Sequence, residues 1–142
     1  MKKRILYLIL PIVTLILEIL PYGAVCNFAD GEGNRLRETF SYFDMVPFGY
    51  ANFAPLITAI LTCVAFSLLL IYCFTGGFVG VLRSLFCVCS VISLAPLVFG
   101  IEYFSVVGAL ITVSLAAEWL LLCFAVKPLS VQEYSNETNF SR

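Results

Sequence analysis

Nearly all the charge in this sequence sits in three places: Lys2 to Arg4, Asp30 to Asp44, and the stretch after Lys127. Between them lie apolar runs of about 20 residues, the length a helix needs to cross a hydrocarbon core about 30 Å thick. Four such runs fit, at 5–24, 55–74, 78–99 and 104–126. With 61% hydrophobic and 12% charged residues, the chain lies far from soluble domains, in which about a quarter of residues are charged. The expected fold is all-α integral membrane, a four-transmembrane-helix bundle. One domain is expected over 1–127, because four helices of this length share a single core, followed by a disordered cytoplasmic tail over 128–142.

The positive-inside bias sets the expected orientation. Lys2, Lys3, Arg4, Arg83 and Lys127 fall on one side if the chain crosses four times, and Arg35 and Arg37 fall on the other among Asp30, Glu32, Glu38 and Asp44. Both termini are then cytoplasmic, in the plasma membrane. The basic start and apolar run also have the layout of a signal peptide. The run is longer than an ordinary h-region, however, and Gly23-Ala24-Val25 before Cys26 is a poor lipoprotein site, so retention as a spanning helix is expected. A formal net charge of -1 leaves no basic stripe for nucleic acid. The expected partners are the lipid bilayer and a second copy of the chain or another membrane protein.

The exterior segment, 25–53, is the one sizeable polar region. Asp30-Gly31-Glu32-Gly33-Asn34 is turn chemistry, and the β-formers that alternate from Arg35 to Phe43 predict a short hairpin, or else a loop, between the first two helices. Phe48, Tyr50 and Phe53, with Pro47, Gly49 and Pro55, read as an irregular interfacial segment. Thr75-Gly76-Gly77 predicts a tight turn into the third run. There Gly76, Gly80, Arg83, Ser84, Cys87 and Ser90 fall on one side at about 100° per residue, a small-residue stripe expected to be the helix's packing seam.

Little here points to catalysis. Histidine is absent, and with it the commonest general base. The Cys87 and Cys89 sulfurs point about 200° apart on a helix. Neither GxSxG, HExxH nor a Gly-rich phosphate loop is present. No enzyme and no cofactor is expected. Cys63, Cys73, Cys87, Cys89 and Cys123 lie in apolar runs as small hydrophobes, and Cys26 at the outer boundary has no intrachain partner by this topology.

The candidate intramembrane polar site is Glu18, Thr14, Tyr7, Arg83 and Glu118. Ionisable residues are costly within a bilayer and face the bundle interior. Tyr7, Pro11, Thr14 and Glu18 share a face by spacings of four, three and four, which must look inward. On the second helix Thr58, Thr62, Ala65 and Tyr72 share a face; on the fourth, Ser114 and Glu118 do, with Gly108 and Thr112 beside them. Arg83 and Glu118 lie at comparable depth and are expected to form a register-fixing ion pair. Glu18, with no basic residue at its depth, reads instead as a protonatable site or cation ligand within reach of Thr58 or Thr62.

The embedded carboxyl in LILEIL, in a short four-helix chain, is similar in placement to that of small multidrug resistance transporters. That resemblance implies proton- or cation-coupled transport of a small solute centred on Glu18. The chain departs from that family in its long exterior segment, in Arg83 and Glu118, and in lacking the family's Gly-rich third helix. Separately, SYFDMVPFGYANFAP and the overall layout resemble uncharacterised small four-helix membrane proteins of Gram-positive bacteria, which implies an architecture and no activity. The leading expectation is a small non-enzymatic membrane protein that acts by packing; the coupled transporter is the alternative.

Overall fold

The computed structural model of the chain describes residues 6–29, 35–49 and 52–125. The basic N-terminal residues, the Asp30 to Asn34 turn, Tyr50, Lys127 and the tail lie outside them. Four helices dominate: α1 (Ile9–Ile19), α3 (Ala54–Thr75), α4 (Val79–Ser93) and α6 (Val106–Ala125). Strands β1 (Ala24–Ala29) and β2 (Arg35–Phe40) and the short helix α2 (Met45–Gly49) join α1 to α3, and α5 (Pro96–Phe99) follows α4. The long helices contact one another in a ring, α1 to α3 to α4 to α6 and back to α1.

The surface is inverted relative to a soluble bundle. On α1, Ile9, Ile12, Val13, Ile16 and Ile19 are exposed while Thr14 and Glu18 are fully buried. Elsewhere Thr58, Thr62, Ser93, Thr112, Ser114 and Glu118 are buried, and Ile60, Val91, Val113 and Phe124 are exposed. Apolar exposure on this scale marks a lipid-facing surface. Among the described residues, three segments are long and apolar enough to cross a membrane: Ala54–Thr75, Val79–Phe99 and Val106–Phe124.

The first run does not become a helix over 5–24. A 3-10 turn at Leu6–Leu8 precedes only 11 helical residues, about 16 Å at the α-helical rise, roughly half a hydrocarbon core. Pro21 ends it: a residue before proline avoids the helical region, and Leu20 is extended at φ -63 ψ 138. Beyond this break the chain runs on as strand. β1 pairs antiparallel with β2, Cys26 opposite Glu38 and Phe28 opposite Leu36, so a hairpin is present.

The helix α4 departs from expectation in two respects. The small-residue stripe is not its seam: Gly80 and Ser84 are exposed, and a Cβ on Gly80 meets nothing within 4 Å. The buried face is Leu82, Phe86, Cys89 and Ser93, an equally regular stripe whose larger side chains fill the interior. The third run is also not one straight helix, because Pro96 lacks an N–H and crowds the turn before it. Ala95 N–H therefore donates to Ile92 O at 2.9 Å, a tightened turn before α5. The aromatic segment after the hairpin is partly helical, as α2. The turn between α3 and α4 follows expectation, with Gly76 left-handed at φ 76 and its N–H on Tyr72 O.

The hairpin is docked on one end of the bundle by a side chain that closes it. Tyr42, just past β2, is 1% exposed, and its N–H donates to Glu18 O at 2.9 Å. Its phenol lies 3.5 Å from Ser93 Oγ, and Ser93 in turn meets Thr112 at 2.7 Å. Glycine makes the room. A Cβ on Gly23 would stand 2.8 Å from Tyr42 Cδ1, and one on Gly108 3.1 Å from Gly23 O. Ser105 Oγ–H donates to Gly23 O at 2.6 Å, tying the start of α6 to the same corner.

Candidate functional site

Three of the ring helices present a polar pair four residues apart, one helical turn, on their buried faces. These are Thr14 and Glu18 on α1, Thr58 and Thr62 on α3, and Ser114 and Glu118 on α6. The spacing brings the pairs together at the centre of the bundle. Glu18 Oε1 lies 2.8 Å from Thr62 Oγ1. Thr14 Oγ1 lies 2.7 Å from Glu118 Oε1 and 2.6 Å from Ser114 Oγ. α1 is thus joined to both its neighbours by carboxyl–hydroxyl contacts, in a low-dielectric interior where the alternative is an unsatisfied polar group. The second oxygen of each carboxyl, Glu18 Oε2 and Glu118 Oε2, is buried without a hydrogen-bond partner among the described residues.

Of the residues singled out from the sequence, Glu18, Thr14 and Glu118 converge. Tyr7 joins them at a distance: with Pro11, Phe86, Leu122 and Glu118 it lines a cavity of about 10 Å³. Arg83 does not join, and the expected pair with Glu118 is parted. The guanidinium Nε–H donates to Leu122 O at 2.9 Å and Nη2 to Cys123 O at 3.5 Å. Both carbonyls lie toward the C-terminal end of α6 as described, Val106–Ala125, the side on which the helix dipole favours a cation. Arg83 and Glu118 therefore act separately. In a double-mutant cycle, Arg83→Leu and Glu118→Leu are expected to lower stability in detergent additively, to within about 0.5 kcal/mol. A coupling well above that would restore the ion pair.

The polar centre also includes residues outside that initial set. Thr62 and Ser114 carried a signal, the spacing of four to another polar residue on an apolar helix. Tyr42 carried none, since its sequence context is an alternating exterior strand and its burial depends on Gly23 and Gly108 far away in the chain. Burial pushes the Tyr42 phenol above its ordinary range, and the nearby Glu18 adds to this against the Ser93 contact. All six cysteines are free thiols, and Cys26, on β1 of the hairpin, is only 4% exposed.

The fold and this interior define a small multi-pass α-helical membrane protein, in keeping with a plasma-membrane location. No family model, curated protein or solved structure matches the chain, so the resemblances noted in LILEIL and SYFDMVPFGYANFAP gain no family from comparison.

Proposed function

We propose that this chain is a four-span membrane protein that acts by packing, as an accessory subunit or with a second copy of itself, and that it carries no enzymatic activity. The observation that supports this most directly is how the polar faces are used. Thr14, Glu18, Thr62, Ser114 and Glu118 are engaged with one another, and the cavity beside Glu118, lined also by Tyr7, Pro11 and Phe86, is about 10 Å³, whereas small-molecule sites measure about 300–1,000 Å³. In this reading α1 is the fourth span. It closes the ring between α3 and α6 and turns its isoleucines outward. The hairpin is then the exterior recognition surface and both termini are cytoplasmic.

Orientation is testable with an impermeant thiol reagent on whole cells. A cysteine placed at Asn34 is expected to react from outside, and one at Ser135 only after permeabilisation. The native Cys26 gives little background, because burial and then Glu38 push its thiol above the ordinary range. The reverse labelling pattern would overturn the orientation.

The second reading, a proton- or cation-coupled small-solute transporter centred on Glu18, draws on the two buried carboxyl oxygens without partners. Reconstituted vesicles separate the two. A packing protein shows no pH-driven or cation-driven uptake across a broad solute panel, and it purifies from native membranes with a stoichiometric membrane partner or as a defined oligomer. A transporter shows uptake that Glu18→Gln abolishes while the fold is kept.

A further inference from the structure

The hydroxyl hub at Thr14 has more neighbours than one proton can serve. Its Oγ1 lies 3.1 Å from Leu10 O, 2.6 Å from Ser114 Oγ and 2.7 Å from Glu118 Oε1. A hydroxyl gives one hydrogen and offers two lone pairs. The hydrogen can go to Leu10 O or to Glu118 Oε1; all three contacts are hydrogen bonds at once when Thr14 donates to the Leu10 carbonyl, which can only accept, and its lone pairs receive Ser114 and Glu118. That arrangement closes completely only if the Glu118 carboxyl carries a hydrogen and donates it. Thr62 repeats the pattern: its Oγ1 lies 2.9 Å from Thr58 O and 2.8 Å from Glu18 Oε1. With Thr62 donating to the Thr58 carbonyl, Glu18 is the donor to Thr62.

The unpartnered oxygens point the same way. In a carboxylic acid whose O–H is Oε1, the atom left without a partner is a neutral carbonyl oxygen; in a carboxylate it shares a full negative charge. Burying the second costs far more than burying the first. Two carboxylates here would also repel each other. Among the described residues, the titratable groups that the surrounding elements bring near are Tyr7 ahead of α1, Tyr42 from the hairpin, Cys63 on α3 and Cys89 on α4. Among the described residues of the ring helices the cation is Arg83, and it bonds the α6 carbonyls of Leu122 and Cys123.

Access to the two carboxyls differs. Glu118 lines the cavity that reaches Tyr7 and Pro11, and its volume of about 10 Å³ is at the threshold for one water. Glu18 is fully buried, and Tyr42 closes the hairpin end above it with its N–H on the Glu18 carbonyl. We propose that Glu18 and Glu118 form a proton-binding site that is loaded at neutral pH. Glu118 exchanges its proton through a single water on the Tyr7 side, and Glu18 is sealed from exchange. The site stands whether the protein packs against a partner or moves a solute.

Infrared spectroscopy of the full-length protein in phosphatidylcholine vesicles tests this directly. With ¹³C-labelled glutamate, two isotope-shifted carbonyl bands of protonated carboxyls are expected at neutral pH, one lost in Glu18→Gln and the other in Glu118→Gln. On transfer to heavy water the Glu118 band should shift at least about tenfold faster than the Glu18 band, since exchange of the sealed group waits on local opening. Finding either carboxyl ionised at neutral pH, or equal exchange rates, would overturn the proposal. Should a Gln variant fail to fold, the wild-type bands still decide, because fewer than two protonated glutamates at neutral pH sinks it.

Discussion

Replacing Tyr42 by alanine is expected to cost the folded protein about 3–5 kcal/mol, the range for removing a fully buried aromatic ring. The ring is 1% exposed and wedged between Gly23 and the start of α6, and the neighbours cannot collapse into the space, because β1 and α6 are fixed to each other through Ser105 and Gly23. The hydroxyl contributes far less. Its contact with Ser93 is long at 3.5 Å, so Tyr42→Phe should lose less than about 1 kcal/mol. Gly23→Ala attacks the same fit from the other side: its Cβ would stand 2.8 Å from the ring, and overpacking of this kind costs about 1–3 kcal/mol. Denaturation in detergent micelles would measure all three. If Tyr42→Ala unfolds within about 1 kcal/mol of the wild type, the hairpin is not held by this side chain.

The contrast between Tyr42 and Thr14 shows what a sequence of this kind exposes and what it conceals. Thr14 and Glu18, Thr58 and Thr62, and Ser114 and Glu118 stand out because a polar pair four residues apart on an apolar helix marks one face, and a bilayer leaves that face nowhere to go but inward. Their convergence needed only the ring of helices. The hairpin was readable for a similar reason, since turn residues at Asp30 to Asn34 separate two β-rich flanks. Tyr42 depends instead on two glycines from other elements, a relation with no local trace.

Arg83 and α4 were misread for a different reason. Depth along a helix can be estimated from residue rise, and on that basis Arg83 and Glu118 are level. Depth does not fix azimuth, though, and the α6 carbonyls of Leu122 and Cys123 compete for the same guanidinium. On α4 both the small stripe through Gly80 and Ser84 and the larger one through Leu82 and Phe86 are regular and mostly apolar. In water the hydrophobic effect would choose between them; in lipid neither face is penalised for exposure, so periodicity alone cannot tell inside from outside. The shortened first helix was more legible than the expected boundary allowed, because Pro21 sits where the helix ends and the residue before a proline is seldom helical.

Thr14→Val should be the most damaging change of similar volume in the bundle interior. Valine keeps the branched shape and removes the hydroxyl, leaving Glu118 Oε1 and Ser114 Oγ without the partner they share. Each buried polar group stranded in this way costs about 1–3 kcal/mol, so a loss of about 2–5 kcal/mol is expected, more than the ~0.6 kcal/mol average of a single interhelical hydrogen bond in a membrane protein. The effect should be specific to the oxygen: Thr14→Ser, which keeps it, is expected to stay within about 1 kcal/mol of the wild type. Removing the stranded carboxyl as well should return much of the loss, because replacing both partners of a buried contact by apolar groups is close to neutral. Thr14→Val with Glu118→Leu is therefore expected to unfold later than Thr14→Val alone. If the double variant is instead the less stable of the two, by the sum of the single losses, Glu118 has another partner and the Thr14 hub does not hold α1 to α6.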